Sequence, residues 1–210
     1  MSTYLFDFDG TLVDSMPTYG AVMKRILDEN GVSYGDDIIK IITPLGFRGT
    51  AEYFVEVMGV KKSVESLMAD MVSYCTHEYT YSIGEKPNVI NTLRVLKARS
   101  DSLNVLTASP HTSLDPCLKR LGLFELFDNV WSCDDFGTTK ADPEIYRMAA
   151  ERMGRKVGEV IFHDDNLGAD RTAKTAGMTV YGVYDDSSAE YVEDMKALCD
   201  RYIYDFSELI

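Results

Sequence analysis

No apolar run in this 210-residue chain is long enough to span a bilayer, so the sequence offers no membrane segment. The first residues lack the basic-then-apolar pattern of a secretory leader, and their first charges are acidic; a cytoplasmic protein is expected. Basic residues are outnumbered: 21 Lys and Arg against 34 Asp and Glu give a net charge of −13. That balance argues against nucleic acid and anionic membrane as partners, since both need a dense basic surface. A small anion remains admissible where a metal, a few placed cations and backbone N–H groups overcome the global field. Cysteine is sparse and scattered over Cys75, Cys117, Cys133 and Cys199, with no Cys-x-x-Cys unit. Zinc and dithiol chemistry are disfavoured, and buried free thiols are expected. Internal repeats and low-complexity segments are missing too. What remains is ordinary globular composition, 45% hydrophobic and 26% charged, with length for one good core plus an insertion.

The most informative stretch is Leu5-Phe-Asp7-Phe-Asp9-Gly10-Thr11-Leu-Val-Asp14-Ser15. A short apolar strand over residues 4–6 runs into Asp7, and Gly10-Thr11 breaks it. Side chains alternate along an extended chain, so Asp7 and Asp9 tend to point the same way. Two carboxylates so placed repel each other, and a divalent cation or a shared proton offsets that cost. The pair suits chemistry in which one carboxylate attacks and its neighbour moves a proton. A calcium loop would need helical flanks and a Glu further on, and neither is present.

The C-terminal two-thirds alternates strands and helices. Strands are expected over 103–107, 130–133, 160–163, 179–184 and 202–204. Helices are expected near 88–99, 112–121, 142–153 and 168–176. Asp142-Pro143 is a helix start, Asn88 is a candidate cap, and Gly122, Gly154 and Gly177 sit at helix stops. This alternation implies a parallel sheet with right-handed crossovers. Residues 16–85 differ, with helical stretches near 17–30, 48–59 and 63–81 and frequent Met and Tyr, which are expected as bundle core. The expected organisation is a core of residues 1–15 and 86–210 with a helical insertion at 16–85.

Ligands of an open parallel sheet bind at the carboxyl ends of its strands. Read together, those ends carry Asp7 and Asp9, then Thr107-Ala108-Ser109, then Lys140 before the Asp142 cap, then His163-Asp164-Asp165. Asp oxygens without soft ligands favour Mg2+ over Zn2+. Thr107 and Lys140 suit phosphoryl oxygens, and the whole set suits phosphoryl transfer. Arg48, between glycines in Leu45-Gly-Phe-Arg48-Gly49, is a candidate for a substrate carboxylate or phosphate, with a surface helix-start arginine as the alternative.

These motifs, with Lys140-Ala-Asp-Pro-Glu-Ile-Tyr146 and Ala176-Gly-Met178, resemble the haloacid dehalogenase superfamily, in the branch with a helical cap after the first strand. The resemblance spans essentially the whole chain and carries an α/β, Rossmann-like parallel-sheet core with an inserted all-helical cap. It implies Asp7 as a nucleophile that becomes an aspartyl-phosphate. It implies Asp9 as general acid and then base, its backbone carbonyl on Mg2+. Thr107 and Lys140 match the phosphate-binding hydroxyl and lysine. Asp7, Asp9, Asp164 and Asp165 form the expected metal set, and Ser109, Arg48, Gly10 and Thr11 the expected substrate contacts. Departures are His163 where relatives often carry Gly or Glu, Ala141 for a common proline, and no Asn after Thr107. His163 is thus either a modifier of the metal surroundings or a structural histidine.

The implied activity is Mg2+-dependent hydrolysis of a small cytosolic phosphate ester entering between cap and core, of the phosphoglycolate phosphatase kind. The expected partner is that metabolite, with no nucleic acid and no membrane, and the protein a monomer or homodimer. Two alternatives stand beside it: a β-phosphoglucomutase-like mutase, for which Tyr19 occupies a cap position where a histidine is expected, and a non-catalytic binding protein on the same fold.

Overall fold

Tyr4-Leu5-Phe6 run through the middle of a six-stranded parallel sheet in the computed structural model, which describes residues 2–210. The strands are β1 (Thr3–Phe6), β2 (Ser102–Thr107), β3 (Asn129–Ser132), β4 (Val160–Asp164), β5 (Thr179–Val183) and β6 (Arg201–Ile203). Their spatial order is β3-β2-β1-β4-β5-β6. Strand β1 has β2 on one side and β4 on the other, with Phe6 level with Val105 and with His163. The chain order reverses direction at β1, so the crevice outside its carboxyl end is where this topology places a ligand. All of β1 is buried, which explains its unbroken apolar run: both faces of the sheet are covered.

On one face, Leu5, Leu106, Phe162 and Val180 pack with Ile145, Tyr146 and Ala149. On the other, Phe6 packs against Phe127 and Phe206. His163 belongs to that second layer, with ring centroids 4.7 Å from Phe6 and 5.1 Å from Tyr181. Its strand neighbour Asp164 points the other way by simple alternation. The structure therefore seats the imidazole in an aromatic layer, away from the carboxylates it adjoins in sequence. Burial pushes its pKa down to about 3.

Around this sheet are α5 (Val89–Ala98), α6 (His111–Arg120), α7 (Pro143–Arg152), α8 (Leu167–Ala176) and α9 (Val192–Leu198). Asp142 caps α7 by accepting the Glu144 N–H at 2.9 Å, ahead of Pro143. Asn88 does not cap α5 with its side chain. It adopts φ 64° and donates its amide to both Asp205 oxygens at 2.9 Å, tying the helix start to the C-terminal segment. Gly177 ends α8 at φ 102°, a conformation that a side chain would disfavour.

By contact, the chain separates into two compact units. One joins the segment up to Asp14 to Ile83–Ile210 and holds the sheet; the other is Ser15–Ser82. The second unit is helical among its described residues, with α1 (Met16–Glu29), α2 (Ile38–Ile42), α3 (Gly46–Glu56) and α4 (Val64–Tyr81). Met23, Ile26, Leu27, Phe54, Leu67 and Met71 form its core. Ser63 caps α4 through the Ser66 N–H at 3.2 Å. Helix α2 and helix α9 are elements that hydrophobic periodicity did not reveal. Among the described residues, no helix is long and apolar enough to cross a membrane.

Candidate active site

Strand β1 delivers Asp7 to the sheet's carboxyl edge, where the Asp7 N–H donates to the His163 carbonyl at 2.8 Å. That bond continues the β1–β4 pairing by one residue and so fixes Asp7 beside Asp164. Lys140, from the segment after β3, donates to Asp7 Oδ1 and to Asp164 Oδ2, the latter at 2.8 Å. The Lys140 carbonyl in turn lies 3.2 Å from the Tyr146 hydroxyl, which is equally close to the Ala169 carbonyl. Tyr146 is fully buried, so it anchors the lysine backbone to α7 and α8.

Asp164 also accepts the Asn166 N–H through Oδ1 at 2.8 Å. Asn166 caps α8 through the Gly168 and Ala169 N–H groups. One turn therefore starts the helix and sets the Asp164 carboxylate. Asp165 Oδ1 accepts the Thr11 hydroxyl at 2.9 Å. Its Oδ2 lies against the Gly10 backbone: a Cβ there would fall 2.5 Å from Oδ2, and φ is +74°. Gly10 is thus required by the close approach of Asp165 as well as by its own conformation.

Asp7, Asp164 and Asp165 are all buried, and each brings an oxygen within 4.8 Å of the others. Burial pushes Asp7 well above the ordinary carboxylate range, and Asp164, Asp165 and Asp9 add to it against the pull of Lys140. Asp165 is pushed up to about 8 by burial and by Asp164. Burial opposes the Lys140 ammonium, but Asp164 and Asp7 outweigh it and hold its pKa well above the lysine range. Three crowded oxygen ligands with one ammonium between them favour a hard divalent cation, which would let all three ionise together. The donor set fits Mg2+ and offers nothing to a soft metal.

Asp9 is turned elsewhere. Its Oδ2 accepts the Ser109 hydroxyl at 2.6 Å, and its carboxylate is not among the clustered ligands. Thr107 is buried at the end of β2, and its Oγ1 accepts the Ser109 N–H at 3.0 Å. That leaves the threonine O–H proton available to an incoming oxygen. Arg48 belongs to α3 of the helical unit, where it is exposed and lies 3.7 Å from Glu52. Tyr19, also in that unit, stacks on Phe47 and places its hydroxyl 3.2 Å from Thr50 Oγ1. His111, a helix-start residue, bonds Asp115 at 2.7 Å and Asp135 at 2.9 Å and joins α6 to the turn after β3.

Sequence reading missed Tyr146 as a support for Lys140, and it missed two titratable groups, the half-buried Lys86 and the buried Asp170. A lone lysine or a lone acid on a helix carries no local signal. Their partners arrive from segments many residues away.

A family model described as haloacid dehalogenase-like hydrolase matches residues 4–183. A phosphorylated carbohydrates phosphatase of Thermotoga maritima is 28% identical over 184 residues, covering 87% of this chain and 85% of that protein. The phosphoglycolate phosphatase of Shigella boydii is 26% identical, over 85% of this chain and 79% of its own. Among solved structures, a Thermotoga maritima protein provisionally named β-phosphoglucomutase superposes with a TM-score of 0.84 at 25% identity. That match covers all of this chain and 96% of the other.

Proposed function

Because this chain belongs to the haloacid dehalogenase-like hydrolase family, we propose that it is a phosphatase that hydrolyses a small phosphate monoester through an aspartyl-phosphate on Asp7. The observation that carries this reading is the Lys140 bridge between Asp7 and Asp164, beside Asp165, at the topological switch of the sheet. A cation held by Asp7, Asp164 and Asp165, with the Asp9 backbone carbonyl, would supply positive charge to the phosphoryl oxygens and keep the three carboxylates ionised.

The residues divide the work by position. Asp7 attacks phosphorus, and Lys140 shares its buried charge between that nucleophile and the transferring group. The Thr107 hydroxyl holds an equatorial oxygen. Asp9 gives its proton to the leaving alcohol and then takes one from the water that opens the aspartyl-phosphate. Ser109, bonded to Asp9 Oδ2, fixes the direction of that carboxyl group. We assign substrate preference to the helical unit Ser15–Ser82, with Arg48 as its candidate anion ligand. Tyr19 stands where a mutase of this branch would place histidine, and its hydroxyl already lies beside Thr50, which favours hydrolysis over mutase chemistry.

The test is phosphate release from a panel of small sugar and acid phosphates, with Mg2+ and with chelator, for the wild type and Asp7→Asn. Release that needs Mg2+ and falls by at least about four orders of magnitude in the variant is the expected outcome for loss of a nucleophile. An Asp7→Asn protein that retains turnover overturns the aspartyl-phosphate. Isomerised sugar phosphate without free phosphate would point to a mutase.

A further inference from the structure

Lys86 is a heavily engaged cation of the sheet unit outside the catalytic set. Its ammonium donates to the Gly10 carbonyl at 2.7 Å, the Tyr184 carbonyl at 2.6 Å and Asp185 Oδ2 at 2.9 Å. An ammonium has three N–H bonds, so all are used and none remains for a substrate phosphate. The side chain is 15% exposed and that of Asp185 6%, so the contacts are shielded from water. Burial pushes the Asp185 carboxyl up, but Ser187 and Lys86 outweigh it and hold the group below its usual range.

The backbone reinforces the side chain. The Lys86 N–H donates to the Leu12 carbonyl, and the Asp14 N–H donates to the Gly84 carbonyl. Val13 and Glu85 form an antiparallel bridge between the two segments. The chain that returns to the sheet unit is thus stitched to the Asp7–Asp14 segment, and its lysine reaches under that segment to the end of β5. The bonded carbonyl belongs to Gly10, the residue whose Cα lies against Asp165, while Thr11 bonds the same carboxylate. Gly10 is the freest backbone of the segment, and the ammonium pins it.

We propose that Lys86 is a positioning residue for the cation site: by fixing the Gly10 carbonyl it sets the Gly10-Thr11 cradle that holds Asp165 in register with Asp7 and Asp164. The inference rests on the reading of those three carboxylates as a Mg2+ site. A purely structural lysine would lower thermal stability and leave metal affinity alone. A positioning lysine moves metal affinity in protein that is still folded.

The experiment is calorimetric titration of purified protein with MgCl2, without substrate, for wild type, Lys86→Met and Lys86→Gln, with thermal unfolding of each. Lys86→Met should bind Mg2+ about tenfold more weakly, the scale for residues that orient metal ligands. Lys86→Gln, which keeps one donor within reach of Gly10, should lose less. Equal affinity in folded Lys86→Met overturns the proposal, as does unfolding of both variants, which would make Lys86 a residue of the fold alone. A wild type that binds Mg2+ yet releases no phosphate from any ester counts against the phosphatase reading and leaves the Lys86 comparison intact. A wild type that takes up no Mg2+ overturns the positioning role together with the metal.

Discussion

Lys140 and Asp164 are 24 residues apart in sequence, Lys140 and Asp7 133, yet one ammonium serves both carboxylates. Removing that charge leaves two buried carboxylates facing each other and an uncompensated phosphoryl charge during transfer. Lys140→Ala is therefore expected to lower kcat by about two to three orders of magnitude on a generic ester, the scale for one charge-stabilising group. Steady-state rates at saturating Mg2+ measure it, and a wild-type kcat would remove Lys140 from the reaction. At this scale the sequence was legible wherever a residue's neighbours in sequence also place it in space. Asp7 and Asp9 sit at the end of an apolar strand, and Asp142 precedes a proline. Lys86 was illegible because its acceptors, Gly10 and Tyr184, lie 76 and 98 residues away. His163 stayed open for a related reason: adjacency to Asp164 set a metal role beside a structural one, and alternation along β4 turns it into the aromatic layer.

Strands and long helices were legible as elements because the sheet is covered on both faces, so each strand is a short apolar run between turn signals. Helix α2 has five residues, little more than one turn, too few for an amphipathic pattern to repeat. Helix α8 shows what periodicity hides. Its buried face includes Asp170, fully inaccessible, with Oδ1 unpartnered and Oδ2 accepting the Cys199 thiol at 3.2 Å. Burial, with Asp164 adding, pushes Asp170 up to about 8. Above the unfolded-chain value of about 4, the unfolded state sheds this proton while the folded state keeps it until its own raised value is reached. Stability contributed by the neutral acid is thus present at low pH and declines as pH rises between those two values. Asp170→Asn, with no proton to lose and an oxygen still open to Cys199, should melt near wild type at acidic pH. It should exceed wild type by about 3 °C or more above the folded value, since each kcal/mol moves Tm by about 2–4 °C in a chain of this size. Thermal melts of both proteins in chelator across that range provide the check, and a constant gap at all pH would show that Asp170 is ionised in the folded state.

The whole molecule carries −13 while its proposed substrate is an anion. Long-range repulsion and short-range capture therefore oppose each other. Capture rests on buried groups, Lys140 with a cation held by Asp7, Asp164 and Asp165, which salt screens little. Approach crosses the field of the whole acidic surface, which salt screens well. The two should separate in kinetics. Raising ionic strength from about 0.01 M to about 0.15 M shortens the screening length from about 30 Å to about 8 Å. Over that change, kcat/KM for a dianionic ester should rise about two- to threefold as repulsion fades, with kcat nearly constant. Mg2+ must be saturating at every salt concentration, because added salt also competes for the carboxylates. A fall in kcat/KM would instead mean that a local basic funnel dominates the encounter, and Arg48→Ala would then be expected to abolish the salt dependence. A rise confined to kcat would place the screened charges in the turnover step rather than on the path of approach.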